Sequence, residues 1–218
     1  MYERVGKRMF DFVVAAPVLL LAAPIMAAVA LAVLLTLGRP VLFRQTRLGR
    51  DAQPFMVIKF RSMAQGDYPD GTRLGRFGRA LRATALDELP QLLHVLRGEM
   101  SLVGPRPLLP EDFVHYTPRQ QSRVLVRPGM TGLAQIAGRN AVPWNERLEL
   151  DARYVDCVTL RGDLSILLRT PGLLLAGRGV TAPGVATMTR FVTRPSAAGV
   201  AFPSASTSAS TEIPGGPA

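Results

Sequence analysis

Residues 85–107 read ALDELPQLLHVLRGEMSLVGPRP, from Ala85 to Pro107. Leu89, Leu92, Leu93 and Leu96 fall at the i, i+3, i+4, i+7 spacing of one helical face, and Gly98 supplies a stop. Asp87 and Glu88 then stand at the helix N-terminus, with Pro90 in the first turn, where its missing N–H costs little. Beyond the helix, Gly104-Pro105-Arg106-Pro107 holds one arginine in a stiff backbone. Acids at a helix start commonly cap free amides and complement the dipole. A carboxylate pair facing a preset guanidinium also has the parts that phosphoryl chemistry needs: a nucleophile or metal ligand, and counter-charge for the transferring group. There is no Gly-x-x-x-x-Gly-Lys loop, which disfavours a nucleotide triphosphatase.

Upstream, PVLFRQTR and PFMVIKFRSM are extended stretches separated by the turn cluster Leu48 to Asp51, and they predict a short β-hairpin. Ala64 to Leu74 reads as a flexible loop. Arg73, Arg76, Arg79 and Arg82 follow at steps of three and predict one broad basic helix face. Further upstream, Phe12 to Leu37 carries no charge and is long enough, as a straight helix, to cross a bilayer core of roughly 30 Å. It is too long for a signal-peptide core. Arg4, Lys7 and Arg8 precede it, and Arg39, Arg44, Arg47 and Arg50 follow it. Basic flanks on both sides ask for both ends on the cytoplasmic face. Pro24, near the middle, is the expected kink of a re-entrant helical hairpin, with an ordinary tilted span as the alternative.

Downstream, Asn145 to Val158 predicts a further helix, and Ser165 to Leu175 an apolar stretch too short to span that would lie in the interface plane. From about Pro195 the chain is Ser, Ala, Thr, Pro and Gly, the composition of a disordered tail. The expected fold is α+β and helix-dominated: a re-entrant membrane anchor at 1–40, a catalytic domain at 41–185 with the β-hairpin and amphipathic interfacial helices, and a tail at 195–218.

The chain has 218 residues, 48% of them hydrophobic, and a formal net charge of +10, so its partner surface is expected to be anionic. Most of the basic residues are Arg, suited to bidentate phosphate contacts but also favoured by GC-rich codons. With 6% aromatics and no aromatic–basic interleaving, nucleic acid is not the expected partner. Cys157 is the sole cysteine, so no intramolecular disulfide or thiolate metal cluster forms, in keeping with a reducing cytoplasm.

Taken together, KRMFDF, FRQTRLGR, FMVIKFRSM, TRLGRFGRALR, LDELPQL, GEMSLVGPRP, RPGMTGLAQIAGRN and LELDARYV, in that order within a match that runs from about Lys7 to Leu168, resemble the bacterial sugar transferase family, the monotopic polyprenyl-phosphate phosphoglycosyl transferases. The GVATMTRF segment and the chain length resemble its small, single-domain branch. The resemblance implies transfer of a sugar phosphate from a UDP-sugar to undecaprenyl phosphate at the cytoplasmic face of the bacterial inner membrane. UMP is released, and a surface glycan is started: exopolysaccharide, O-antigen or glycoprotein glycan. Asp87 would be the nucleophile that forms an aspartyl-phosphosugar intermediate, and Glu88 would help to hold Mg²⁺ with it or manage a proton. Arg106 would hold phosphate, with Lys59 and Arg82 as further anionic contacts. Arg127, Gln135, Gly138 and Arg139 would line the nucleotide side.

The sugar is left open between N-acetylated amino sugars, galactose and glucose, and a homo-oligomer is left open too. Competing expectations are a membrane glycosyltransferase that releases UDP, and a basic membrane-bound binding module. The chain departs from the family pattern at Ala23, where Ser is common, at His94 for Asn, Glu99 for Asp, and Leu133 for Trp. His94, without a second metal ligand at helical spacing, is expected to be a satisfied structural histidine.

Overall fold

The computed structural model describes residues 2–66, 70–175 and 191. The tail at 195–218, the end of the catalytic domain at 176–185, and GVATMTRF apart from Phe191 lie outside the described residues.

Lys7–Leu37 forms α1, a single helix of 31 residues that contains both Pro17 and Pro24. The expected division into two helices at Pro24 is not seen. Each proline removes one N–H and leaves one carbonyl, of Val13 and of Leu20, without its usual partner, which a long helix absorbs. Lys7, Asp11, Ala15, Ala22, Val29 and Val33 are its buried residues. Their spacing, in steps of four and seven, puts one face of α1 against the rest of the chain along its whole length. The opposite face carries exposed Phe12, Val13, Leu20, Leu21, Leu31 and Leu35. By length and composition α1 is the one described helix that meets the requirement for crossing a membrane.

Both ends of α1 are tied to one domain. At the N-terminal end, Asp163 accepts hydrogen bonds from Lys7 Nζ at 2.6 Å, Tyr2 at 2.6 Å and Tyr154 at 2.8 Å. Asp11 accepts from the Leu102 N–H at 3.0 Å and from Ser101 Oγ at 2.9 Å. At the other end, the Arg61 guanidinium donates to the carbonyls of Leu37 and Gly38. These are the last carbonyls of the helix, which have no partner within it.

The expected β-hairpin is present: β1, Leu42–Leu48, pairs antiparallel with β2, Pro54–Phe60, and Lys59 lies opposite Phe43. The basic segment is not one helix face. Arg73 ends a short helix, α2, Asp70–Arg73, whereas Arg76, Arg79 and Arg82 lie on α3, Arg76–Ala83, which begins after an extended Gly75. A step of three residues also advances 300° rather than 360°, so the four side chains diverge even on an unbroken helix.

The acid pair sits one element earlier than expected. Leu86–Gln91 is a 3₁₀ turn, and α4 proper is Leu92–Arg97, closed by Gly98 at φ 84°. Pro90 cannot donate the α-helical bond back to Leu86, which favours the tighter turn. A second sheet went unread in the sequence: β3, Ser101–Val103, pairs in parallel with β4, Gly129–Thr131. These strands are three residues each, too short for an alternation signal. Their close approach needs glycines. A Cβ on Gly104 would lie 2.5 Å from the Arg127 carbonyl oxygen, and one on Gly129 would lie 2.1 Å from the Gly104 nitrogen.

Short helices α5, Pro110–Phe113, and α6, Pro118–Gln121, lead to β4. Then follow α7, Leu133–Gly138, α8, Trp144–Asp156, and α9, Leu160–Leu175, which continues through Pro171. The main core gathers Leu92, Val95, Met100, Leu102, Val103, Val126, Tyr154 and Ile166 around β3, with Ala15 of α1. A second cluster joins Val29 and Val33 of α1 to Phe60 and Leu81. Burying apolar area of this kind is worth about 25 cal/mol per Å², so docking on the domain stabilises α1 along much of its length.

Candidate active site

Asp87 and Glu88 are adjacent in the 3₁₀ turn, and the fold gives them different partners. Glu88 receives both terminal nitrogens of Arg106, at 2.5 and 3.3 Å. No hydrogen bond or ion pair among the described residues reaches the Asp87 carboxylate, which is 4% exposed. Ala85, just before the pair, adopts a left-handed backbone at φ 56°. For a residue with a side chain this conformation costs roughly 1–2 kcal/mol.

Lys59 reaches the site from β2, its Nζ 5.2 Å from the centre of the Phe43 ring. Arg82 reaches it from α3, where its Nε donates to Ser62 Oγ at 2.8 Å. Burial pushes the Asp87 carboxyl up to about 6, helped by the Glu88 charge and opposed by Lys59, Arg82 and Arg106. Burial lowers the Lys59 ammonium against the pull of Asp87 and Glu88, while Glu88 holds the Arg106 guanidinium up. Asp87 is therefore a desolvated carboxylate ringed by cations, the electrostatics of a site for a phosphorylated ligand.

Arg106 is held from behind. Arg123 donates from one nitrogen to the Arg106 carbonyl and to Asp151 Oδ2, each at 2.6 Å. Asp151 lies on α8, so LELDARYV supports the Gly-Pro-Arg-Pro turn from the far side. The sequence had offered no role for Arg123 or Asp151, whose separation of 28 positions hides their contact. Arg47, which the sequence offers only as a flank of the apolar run, stands next to Arg106, and burial and that neighbouring charge push it down to about 10.

A cavity of about 740 Å³, lined by neither acid, shares Lys59 and Arg82 with the surroundings of Asp87. Lys59, Arg82, Arg61, Arg44 and Arg73 line it with Pro40, Val41, Leu42, Phe43 and Met63. It joins the foot of α1 to two cations that act on Asp87, and its wall is part apolar and part basic. Arg61 is 5% exposed, and its Nε and Nη1 have no hydrogen-bond partner among the described residues.

The other sequence candidates disperse. Arg127 Nε donates to the Gly98 carbonyl at 2.8 Å, at the opposite end of the helical run from Asp87. Gln135 stands by Gly132, where an added Cβ would lie 2.8 Å from its Oε1 and 2.2 Å from the Gly104 carbonyl oxygen. Both polar atoms of Gln135 are buried and without a partner among the described residues. The Arg139 side chain lies outside the described residues. Gly138, at the end of α7, has φ 150°. His94 is the satisfied structural histidine expected of it: Nε2 accepts the Ile58 N–H at 3.1 Å and Nδ1 lies 2.7 Å from Glu99 Oε2. Two of the departures from the family pattern thus meet each other.

A buried Asp87 left among cations beside a half-buried Glu88 clamped by arginine is an arrangement that group transfer on an anionic substrate could use. Comparison with known proteins specifies the class. The family profile described as "Bacterial sugar transferase" matches residues 2–177. The chain is 43% identical over 191 residues to "Uncharacterized sugar transferase EpsL" of Bacillus subtilis, covering 85% of this chain and 95% of that one. It is 43% identical over 185 residues to "UDP-glucose:undecaprenyl-phosphate glucose-1-phosphate transferase" of Caulobacter vibrioides, covering 77% and 69%. It is 35% identical over 200 residues to "Undecaprenyl-phosphate galactose phosphotransferase" of Salmonella typhimurium, covering 81% of this chain and 42% of that longer protein. The chain belongs to the bacterial sugar transferase family.

Proposed function

We propose that this chain transfers a sugar-1-phosphate from a UDP-sugar to undecaprenyl phosphate, with Asp87 as the nucleophile. The observation that carries the reading is the asymmetry of the acid pair: Arg106 occupies Glu88, while Asp87 stays buried, open and surrounded by Lys59, Arg82 and Arg106. The names of the Caulobacter and Salmonella relatives supply the substrate class.

In the first step an Asp87 carboxylate oxygen attacks the β-phosphorus of the donor. The bond from that phosphorus to the bridging oxygen breaks, UMP leaves with the electron pair, and an acyl phosphate carrying the sugar remains. In the second step a phosphate oxygen of undecaprenyl phosphate attacks the same phosphorus, and the Asp87–phosphorus bond breaks to return the carboxylate. Two displacements replace one direct encounter between two polyanions. Arg106, Lys59 and Arg82 neutralise the charge that gathers in each transition state.

The donor set fits Mg²⁺. Among the described residues no group of three or more His, Cys, Asp or Glu side chains is placed to hold a metal. Mg²⁺ commonly binds through one or two carboxylates together with substrate phosphates. Asp87 and Glu88 would hold it, and when bound it supplies Lewis-acid charge to the phosphates.

The site belongs at the cytoplasmic face, with α1 entering and leaving the membrane on one side as a re-entrant anchor. Support comes from the docking of Lys7 and Asp11 at one end and of Leu37 and Gly38 at the other onto the same domain. Between those ends Ala15, Ala22, Val29 and Val33 stay buried against the domain, which a helix leaving the domain to cross a bilayer would not allow. Leu160, Leu164 and Leu168, spaced by four on α9 and exposed, would rest in the interface plane.

The test is to incubate the purified chain with Mg²⁺ and a panel of UDP-sugars, without acceptor. UMP release and a phosphosugar mass on the peptide containing Asp87 are expected. No mass gain at Asp87 with donor alone, while a parallel incubation with undecaprenyl phosphate still forms lipid product, would sink the reading, and UDP release in that incubation would favour direct glycosyl transfer instead.

A further inference from the structure

The two-stranded sheet β1–β2 has no third strand among the described residues, so β2 presents an open edge towards the 3₁₀ turn that carries Asp87. A backbone N–H turned inwards from such an edge needs an acceptor. The Ile58 N–H finds His94 Nε2 at 3.1 Å. His94 is 2% exposed and stands on α4, the direct continuation of that turn. Because Nε2 accepts, the ring proton belongs on Nδ1, where Glu99 Oε2 receives it at 2.7 Å. Phe55, also on β2, packs edge-on against the ring at 5.7 Å.

Ile58 is the residue before Lys59. Fixing its backbone fixes the height and direction from which Lys59 leaves the strand, because successive strand side chains are rigidly related. The imidazole therefore spans the elements that hold Asp87 and Lys59, a strand-borne cation whose charge acts on it.

We propose that His94, kept in one tautomer by Glu99, is a positioning residue that sets Lys59 against Asp87 by clamping β2 to the helix following the acid pair. The proposal rests on Asp87 and Lys59 acting as described above. It adds a role that packing alone would not give, since a core filler would serve any strand register equally.

A double-mutant cycle tests it on the full-length chain in lipid nanodiscs with undecaprenyl phosphate, Mg²⁺, and UDP-glucose, UDP-galactose and UDP-N-acetylglucosamine in turn. His94→Leu keeps the bulk and removes the acceptor. It is expected to lower kcat/KM roughly tenfold in the wild-type background, and by less than about twofold in a Lys59→Met background, where there is no ammonium left to place. His94→Asn, whose amide oxygen accepts the Ile58 N–H, is expected to recover part of the loss. A tenfold loss in both backgrounds, or no recovery with Asn while thermal stability is retained, overturns the proposal.

Amide hydrogen exchange provides an arm that needs no substrate. His94→Leu should speed exchange at Ile58 by at least about tenfold relative to α4, and unchanged protection there overturns the clamp. Failure of the nucleophile assignment would show separately, as wild-type transfer without mass gain at Asp87.

Discussion

Arg106 meets Glu88 through both terminal nitrogens, at 2.5 and 3.3 Å, and leaves neighbouring Asp87 out of the pair. The two acids are adjacent in sequence and have opposite electrostatic situations. One is neutralised by a fork of donors; the other is desolvated and held among positive charges. That division sets the first prediction.

Arg106→Lys keeps a charge but loses the planar fork, so the Glu88 charge is less completely compensated beside Asp87. A drop in kcat/KM of roughly 10²-fold is expected in steady-state UMP release, with Arg106→Ala lower still.

Asp87→Asn should abolish turnover and stabilise the metal-free protein. The folded-state pKa of Asp87 is raised from 3.8 to about 6. Its stability cost is therefore absent below the unfolded value, grows as pH rises between the two, and is complete above the folded value. At neutral pH removing the ionisable group should return on the order of 2–3 kcal/mol. A melting temperature at pH 7.5 that falls on substitution, with the folded spectrum retained, would contradict this.

The same shift governs turnover in the opposite sense, since only the ionised carboxylate attacks. With the Asp87 pKa near about 6, single-turnover UMP release should fall as pH drops through that value and level off above it. Lys59→Met removes a charge that favours the carboxylate, so the acid limb should move to higher pH.

Lys7 and Asp163 form a buried ion pair at 2.6 Å, their side chains 8% and 0% exposed. Breaking it leaves an uncompensated charge, so Lys7→Met should cost about 3–5 kcal/mol. Thermal melts in detergent check this. A loss below about 1 kcal/mol would show that the pair does not hold α1 to the domain.

Gly129→Ala would place a methyl group 2.1 Å from the Gly104 nitrogen, a backbone atom that cannot swing aside. Separation of β3 from β4 and failure to accumulate folded protein are expected, seen as loss of the monodisperse peak in size-exclusion chromatography.

The sequence by itself determined the elements that announce themselves locally. The uncharged run of α1, the β1–β2 hairpin with its turn, the leucine spacing of α4 and its stop at Gly98, and the Asp87-Glu88 pair before a proline-stiffened Arg106 all lie within short windows, where periodicity and turn chemistry are visible. What it left undecided is carried by contacts between distant positions: Glu88 with Arg106, Asp11 with Leu102, Asp163 with Lys7, Arg123 with Asp151. No local pattern encodes such pairs, because their free energy depends on burial, and burial exists only once the chain has packed. Tertiary structure alone decided which of two adjacent acids is clamped and which stays open, removed Arg127 to the far end of the helical run, and brought both ends of α1 to one domain. The same residue types in the same order have no distinct roles until the surrounding cations and the loss of water give each carboxylate its own electrostatic environment.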